Sequence, residues 1–131
     1  MAATKTILLV DDDVEVLTAL HTLFKTRGYR LLTATDGNRA LALAERDAPD
    51  LVIIDMIMPC KSGIGVLQAL KRRIGCPPVI MITANDAPRQ RAYAEQLGVD
   101  DFLRKPFNMS RLLESVQRLC PLEEPVASST D

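Results

Sequence analysis

A doubly wound α/β sandwich, made of five strand–helix units around a parallel sheet, is the fold class this sequence predicts. Three observations carry the prediction. Apolar runs without polar alternation, such as "LVIID" (51–55) and "PVIMIT" (78–83), suit strands covered on both faces, as a parallel sheet requires. Between these runs, apolar residues recur at helical spacing. The two patterns alternate five times, and right-handed crossovers then place helices on both sides of one sheet.

The first strand is expected over Thr6–Val10. A helix follows on the stripe Val14, Leu17, Leu20 and Phe24 and stops near Gly28, a suitable C-terminal cap. Asp13 suits the N-cap of that helix, because a carboxylate there accepts amide protons of the first turn. The second strand is Arg30–Ala34. "TDGN" (35–38) then starts a helix bearing Ala40, Leu41 and Ala44, which stops before Pro49. Leu51–Ile54 is the third strand, and Ile64, Leu67 and Leu70 mark the third helix. Val79–Ile82 is the fourth strand, with a helix from Ala92 to Leu97 ended by Gly98. Asp101–Leu103 is the fifth. Leu112, Leu113, Val116 and Leu119 form the last stripe, with Asn108 or Ser110 near its start. From Pro121 the sequence "PLEEPVASSTD" combines prolines, acids and small polar residues without periodicity. The expected division is one domain over 5–120 and a disordered tail or the start of a linker over 121–131.

Composition narrows the function classes. At 131 residues, 47% apolar and 25% charged, the chain has the balance of one globular domain. A net charge of −1 and 4% aromatic residues give no general attraction to nucleic acid or anionic lipid. No apolar run approaches the ~20 residues of a membrane helix, and "MAATKTILLV" lacks the basic region, long apolar core and cleavage site of a signal peptide. A cytoplasmic protein is expected. Cys60, Cys76 and Cys120 are an odd number without metal-ligand spacing and read as reduced thiols. His21 reads as a helix-face residue rather than a ligand or a base.

The informative polar residues fall at strand ends. Asp11, Asp12 and Asp13 follow the first strand, Asp55 ends the third, Thr83 the fourth, and Lys105 follows the fifth. Open α/β sheets hold ligands at this carboxyl edge. With strand order 2-1-3-4-5, the first and third strands are neighbours at the topological switch point, and Asp11, Asp12 and Asp55 share one pocket. Crowded carboxylates repel and raise one another's pKa unless a cation intervenes. Their hard oxygens suit Mg²⁺, which binds one or two carboxylates together with phosphate oxygens. A lysine and a threonine hydroxyl beside them complete a phosphoryl-transfer site. Singly, each residue also has an ordinary role: acids start helices, an Asp after a strand makes a turn, a Thr packs in a strand, and a Lys is solvated. The joint placement on successive strand ends selects the functional reading.

At these residues the chain resembles the receiver domain of two-component response regulators. "ILLVDDD", "LVIIDMIMPCKSG", "VIMITA" and "DFLRKPF" occur in that family's order and spacing, over about Lys5 to Leu119. The resemblance implies a flavodoxin-like fold and a signalling phosphoacceptor rather than an enzyme with a separate catalytic output. It implies that Asp55 accepts a phosphoryl group from the phosphohistidine of a sensor histidine kinase or a histidine phosphotransfer protein. Asp12 would bind Mg²⁺ (or Mn²⁺) directly, Asp11 mainly through water, and the Ile57 backbone carbonyl would add a ligand. Lys105, Thr83 and the Ala84 amide would hold phosphoryl oxygens, and Phe102 would occupy the aromatic switch position. The surface of the fourth helix, fifth strand and fifth helix would then change, toward an effector or a second copy. A cis peptide bond is implied at Lys105–Pro106. Ile57 and Asn85 differ from the commonest residues at positions that govern water access to an acyl phosphate, and Lys61 stands where an acid is frequent.

Two rivals share parts of the pattern. A haloacid-dehalogenase-like phosphatase would use Asp11 as nucleophile in an Asp-x-Asp pair with Asp13, and would leave Asp55 without a purpose. A receiver-like module that is never phosphorylated would keep the fold alone. A flavin mononucleotide binder is disfavoured, because three aspartates after the first strand repel the cofactor phosphate.

Overall fold

The computed structural model describes residues 4–56, 58, 62–84 and 88–122. Strands and helices alternate as β1 (Thr6–Val10), α1 (Val14–Thr26), β2 (Arg30–Ala34), α2 (Gly37–Asp47), β3 (Leu51–Asp55), α3 (Gly63–Lys71), β4 (Val79–Thr83), α4 (Pro88–Leu97), β5 (Asp101–Arg104) and α5 (Met109–Leu119). The five strands are parallel, in the order β2-β1-β3-β4-β5. This is the flavodoxin-like (βα)5 sandwich expected from the sequence.

Successive strand residues point to opposite faces, so the two-residue period sorts the core into two layers. Leu8, Val10, Val52, Ile54, Val79 and Met81 pack with residues of α2, α3 and α4. Ile7, Leu9, Leu51, Ile53, Ile80 and Ile82 pack with Leu17, Leu20 and Phe24 of α1 and with Leu112 and Val116 of α5. Every residue of β3 and β4 is buried, which is why those runs carry no polar alternation. The helices are anchored unequally. The first, second, third and fifth each bury three or four residues, whereas α4 buries only Ala94.

Local chemistry fixes the helix starts. The side chains of Asp13, Asp36, Ser62 and Asn108 each accept an amide proton from the first turn that follows. Asp13 was readable as a cap, and of the two candidates at the last helix, Asn108 and Ser110, Asn108 is the cap. Gly28 follows the C-cap of α1 with φ +100°, a conformation that spares glycine the Cβ clash.

Several details differ from the sequence expectation. The third, fourth and fifth strands run one residue further, to Asp55, Thr83 and Arg104, because a polar side chain ends an apolar run without ending backbone pairing: Asp55 aligns with Ile82 and Thr83 with Arg104. Val14, assigned to the buried stripe of α1, is 63% exposed, since it opens the helix beside the sheet edge. Ala92 is exposed and Ala94 carries the contact. Tyr29 is buried, with its hydroxyl donating to the Cys120 carbonyl at 2.8 Å and its ring edge-on to Phe24 at 5.9 Å. Cys76 and Cys120 are free thiols. Cys60 and residues 123–131 of the expected tail lie outside the described residues. Among the described residues, no helix is long and apolar enough to cross a membrane.

Candidate functional site

The order of strands reverses at β1, which pairs with β2 on one side and β3 on the other. The carboxyl ends of β1 and β3 deliver Asp11 and Asp55 to the crevice formed there. The Asp11 amide donates to the Ala34 carbonyl at 3.2 Å and continues the ladder one step past the strand. Its carboxylate is 4% exposed and engaged at both oxygens: one accepts the Asp13 amide at 2.9 Å, the other the Lys105 ammonium at 2.7 Å. Asp55 is 9% exposed, and one of its oxygens lies 3.9 Å from the same ammonium. Asp12 is exposed. One oxygen from each of Asp11, Asp12 and Asp55 lies within 4.8 Å of the others. The triplet after β1 thus splits into a buried acid, an exposed acid of the same cluster, and a helix cap.

Lys105 reaches the acids from the far side of the sheet edge. Its backbone amide donates to the Thr83 carbonyl at 2.6 Å, and the peptide bond to Pro106 is cis, as the resemblance implied. Burial pulls its pKa down, but the hydrogen bond to Asp11 and the charges of Asp11, Asp55 and Asp13 outweigh this and hold it above the ordinary lysine value. The ammonium is therefore a fixed positive charge at neutral pH. Three carboxylates against one ammonium leave two negative charges, which a divalent cation would offset.

The donors suit such a cation. They are all carboxylate oxygens, the preference of a hard ion. Opposite ligands of an octahedral Mg²⁺ stand about 4 Å apart, a spacing close to that of the three oxygens, which lie within 4.8 Å of one another. Asp12 is exposed, so a cation held by these residues would remain accessible to water.

The remaining predicted residues sit around this cluster. Thr83 is 1% exposed at the end of β4, and strand alternation puts it on the α4 side with Val79 and Met81. Phe102 is on that same side, half-buried, aligned with Met81. Ala84 is exposed beside Lys105 in an apolar cleft of about 580 Å³ that also takes in Val16, Leu20, Phe107 and Met109. Ile57, Lys61 and Asn85 lie outside the described residues.

Sequence reasoning missed two features. One is Gly63, the first residue of α3. Its amide donates to the Met56 carbonyl at 2.8 Å, and a Cβ there would stand 2.2 Å from the Asp55 carbonyl oxygen and 2.7 Å from the Met56 Cα. Only glycine lets this helix meet the strand end that bears Asp55. A glycine directly after the Ser62 cap was the available signal.

The other is the network on Asp101. Its carboxylate accepts from both terminal nitrogens of Arg111 at 3.0 Å, from Arg118 at 3.3 Å, from the Ser115 hydroxyl at 2.5 Å and from the Phe102 amide at 2.8 Å. Burial raises its pKa, but the bonds to Arg111, Ser115 and Phe102 prevail and lower it from 3.8 to about 2. A depressed folded-state pKa contributes stability that is present above the unfolded value and is lost as pH falls through the folded one. Urea unfolding compared at pH 5 and pH 2.5 should therefore show the parent losing roughly 1–2 kcal/mol more than Asp101→Asn. Equal losses would remove Asp101 as an acid-sensitive clamp between β5 and α5.

Comparison with known proteins agrees with this architecture. The family model of the response regulator receiver domain matches residues 7–117. The chain is 34% identical over 127 residues to the alkaline phosphatase synthesis transcriptional regulatory protein PhoP of Bacillus subtilis, covering 97% of this chain and 53% of that protein. It is 42% identical over 113 residues to the transcriptional regulatory protein CpxR of Escherichia coli, covering 86% and 48%. The chain thus spans about half the length of these relatives. A CheY-like response regulator receiver domain protein from Methanospirillum hungatei superposes with a TM-score of 0.83 at 29% identity, over 88% of this chain and 93% of that one. Fold, strand order and sequence agree: the chain belongs to the response regulator receiver domain family.

Proposed function

We propose that this chain is a phosphoacceptor of a two-component system, taking a phosphoryl group onto Asp55 from the phosphohistidine of a sensor histidine kinase or a histidine phosphotransfer protein. The observation that carries this reading is the convergence of Asp11, Asp12 and Asp55 within 4.8 Å, beside an ammonium 2.7 Å from Asp11 and 3.9 Å from Asp55. A carboxylate oxygen of Asp55 attacks phosphorus, the P–N bond breaks, and the donor's ring, protonated on its other nitrogen, takes the electron pair and leaves as neutral imidazole. Asp11, Asp12, Asp55 and the Ile57 carbonyl would hold Mg²⁺ or Mn²⁺, which when bound supplies charge neutralisation at the phosphoryl oxygens. Lys105 adds a second fixed positive charge there, and Thr83 and the Ala84 amide donate hydrogen bonds. The chain's own work is positioning and charge compensation rather than bond-making by a separate catalyst. The same site would assist hydrolysis of the acyl phosphate.

The output follows from charge added beside Thr83. Thr83 turns toward the phosphoryl group, Phe102 occupies the vacated space, and the α4–β5–α5 surface shifts in population. The single buried anchor of α4 supports this helix as the movable element. The names of PhoP and CpxR support an output to transcription, through an effector or through a homodimer on the α4–β5–α5 face. Neither nucleic acid nor membrane is proposed as a direct partner, and the cytoplasm is the proposed site of action.

The phosphatase reading is disfavoured at Asp11, both of whose oxygens are already engaged by Asp13 and Lys105. The test of the proposal is labelling by acetyl phosphate. Incorporation that requires Mg²⁺ and stops after one equivalent supports a phosphoacceptor. Continuous release of phosphate without a stable protein label would point to the phosphatase, and no reaction at all to the inert module.

A further inference from the structure

We propose that Arg91 is a positioning residue for Phe102: its guanidinium, stacked on the ring, retains the aromatic side chain at the open edge of the sheet and opposes inward movement toward Thr83. The inference rests on the phosphoacceptor reading and names a control within it. The Arg91 guanidinium carbon lies 5.1 Å from the Phe102 ring centroid, inside the roughly 6 Å reach of a cation–π contact. Phe102 is half-buried and the Arg91 side chain 55% exposed, so the contact lies at the surface, where it is modest in strength. A ring that moves inward from this edge leaves the guanidinium behind.

Two further features single out this arginine. It occupies the N-terminal part of α4, where the helix dipole disfavours a cation, and among the described residues no acid stands in the first turn of that helix. Its carboxylate neighbour, Glu95, lies at 4.0 Å with both side chains more than half exposed, a pair that contributes little. Among the described residues, the aromatic face is thus the main partner of Arg91. By linkage, whatever holds the ring outward weakens occupation of the phosphoryl site by the same factor.

The test uses the full chain with Mg²⁺ and beryllofluoride, a phosphoryl mimic, and reads the titration midpoint from the Thr83 amide resonance. Arg91→Ala is expected to lower the midpoint roughly two- to fivefold, the equivalent of one surface cation–π contact. Alanine and arginine are both strong helix formers, so α4 itself is not weakened. Arg91→Lys should fall between parent and alanine, and Glu95→Gln should match the parent. In a Phe102→Leu background, Arg91→Ala should have no effect. An unchanged midpoint in Arg91→Ala, or the same shift with leucine at 102, would overturn the assignment. A parent chain that never responds to beryllofluoride would instead remove the phosphoacceptor reading, and this control with it.

Discussion

Replacing Asp55 by asparagine is expected to reduce phosphoryl acceptance by on the order of 10³-fold or more, because the amide keeps the shape of the side chain and removes the charged nucleophile. The same change should leave the protein as stable as the parent or slightly more so. Asp55 shares a mostly buried pocket with Asp11, and the Lys105 ammonium sits closer to Asp11, 2.7 Å against 3.9 Å. Against these described neighbours, removing one carboxylate relieves repulsion from Asp11 and forfeits the longer of the two ammonium contacts. Opposite signs for activity and stability mark a group kept for function at a structural cost. Labelling by acetyl phosphate and a thermal melt on the same preparation check both halves. A large loss of stability in Asp55→Asn would show that the aspartate is instead a structural turn residue.

Gly63→Ala should be the most damaging small substitution near the site. The new methyl would meet the Asp55 carbonyl oxygen at 2.2 Å, the Met56 Cα at 2.7 Å and the Asp55 carbonyl carbon at 3.0 Å. All three are backbone atoms at the end of a fully buried strand, and none can swing aside as a flexible side chain would. The start of α3 must retreat, breaking the Gly63 amide bond to the Met56 carbonyl, or the end of β3 must shift and carry Asp55 with it. Overpacking of this kind costs about 3 kcal/mol or more, which lowers the melting temperature by roughly 10 °C in a chain of this size. Phosphoryl acceptance should fall as well, since a displacement of about 1 Å at a reacting group is enough to cost about 100-fold. A variant with parent stability and parent labelling would contradict the tight junction of helix and strand.

The sequence carried the fold through two periods. Parallel strands buried on both faces leave unbroken apolar runs, and the amphipathic helices between them leave stripes, so the order of elements was readable from Thr6 to Leu119. It was less readable at ends, where polar Asp55, Thr83 and Arg104 continue backbone pairing that an apolar pattern cannot register. At the site, the acids, Thr83 and Lys105 were visible because each sits at a strand end, and the strand order brings those ends together. Contacts that join distant segments without a periodic signal stayed hidden. Tyr29 meets Cys120 across 91 positions, and Asp101 gathers Arg111, Ser115 and Arg118 from a different element. Nothing in the sequence singles out Arg91, because its contact with the Phe102 ring joins two elements without a periodic signal. Gly63 was hidden for another reason: a missing side chain records a close approach only once its neighbour is known.

The most direct test of the central claim is to locate the acyl phosphate. After reaction with acetyl phosphate and Mg²⁺, reductive trapping with borohydride and peptide mass spectrometry should place the modification on Asp55 alone. Modification of Asp11, or of no aspartate in the cluster, would contradict the account.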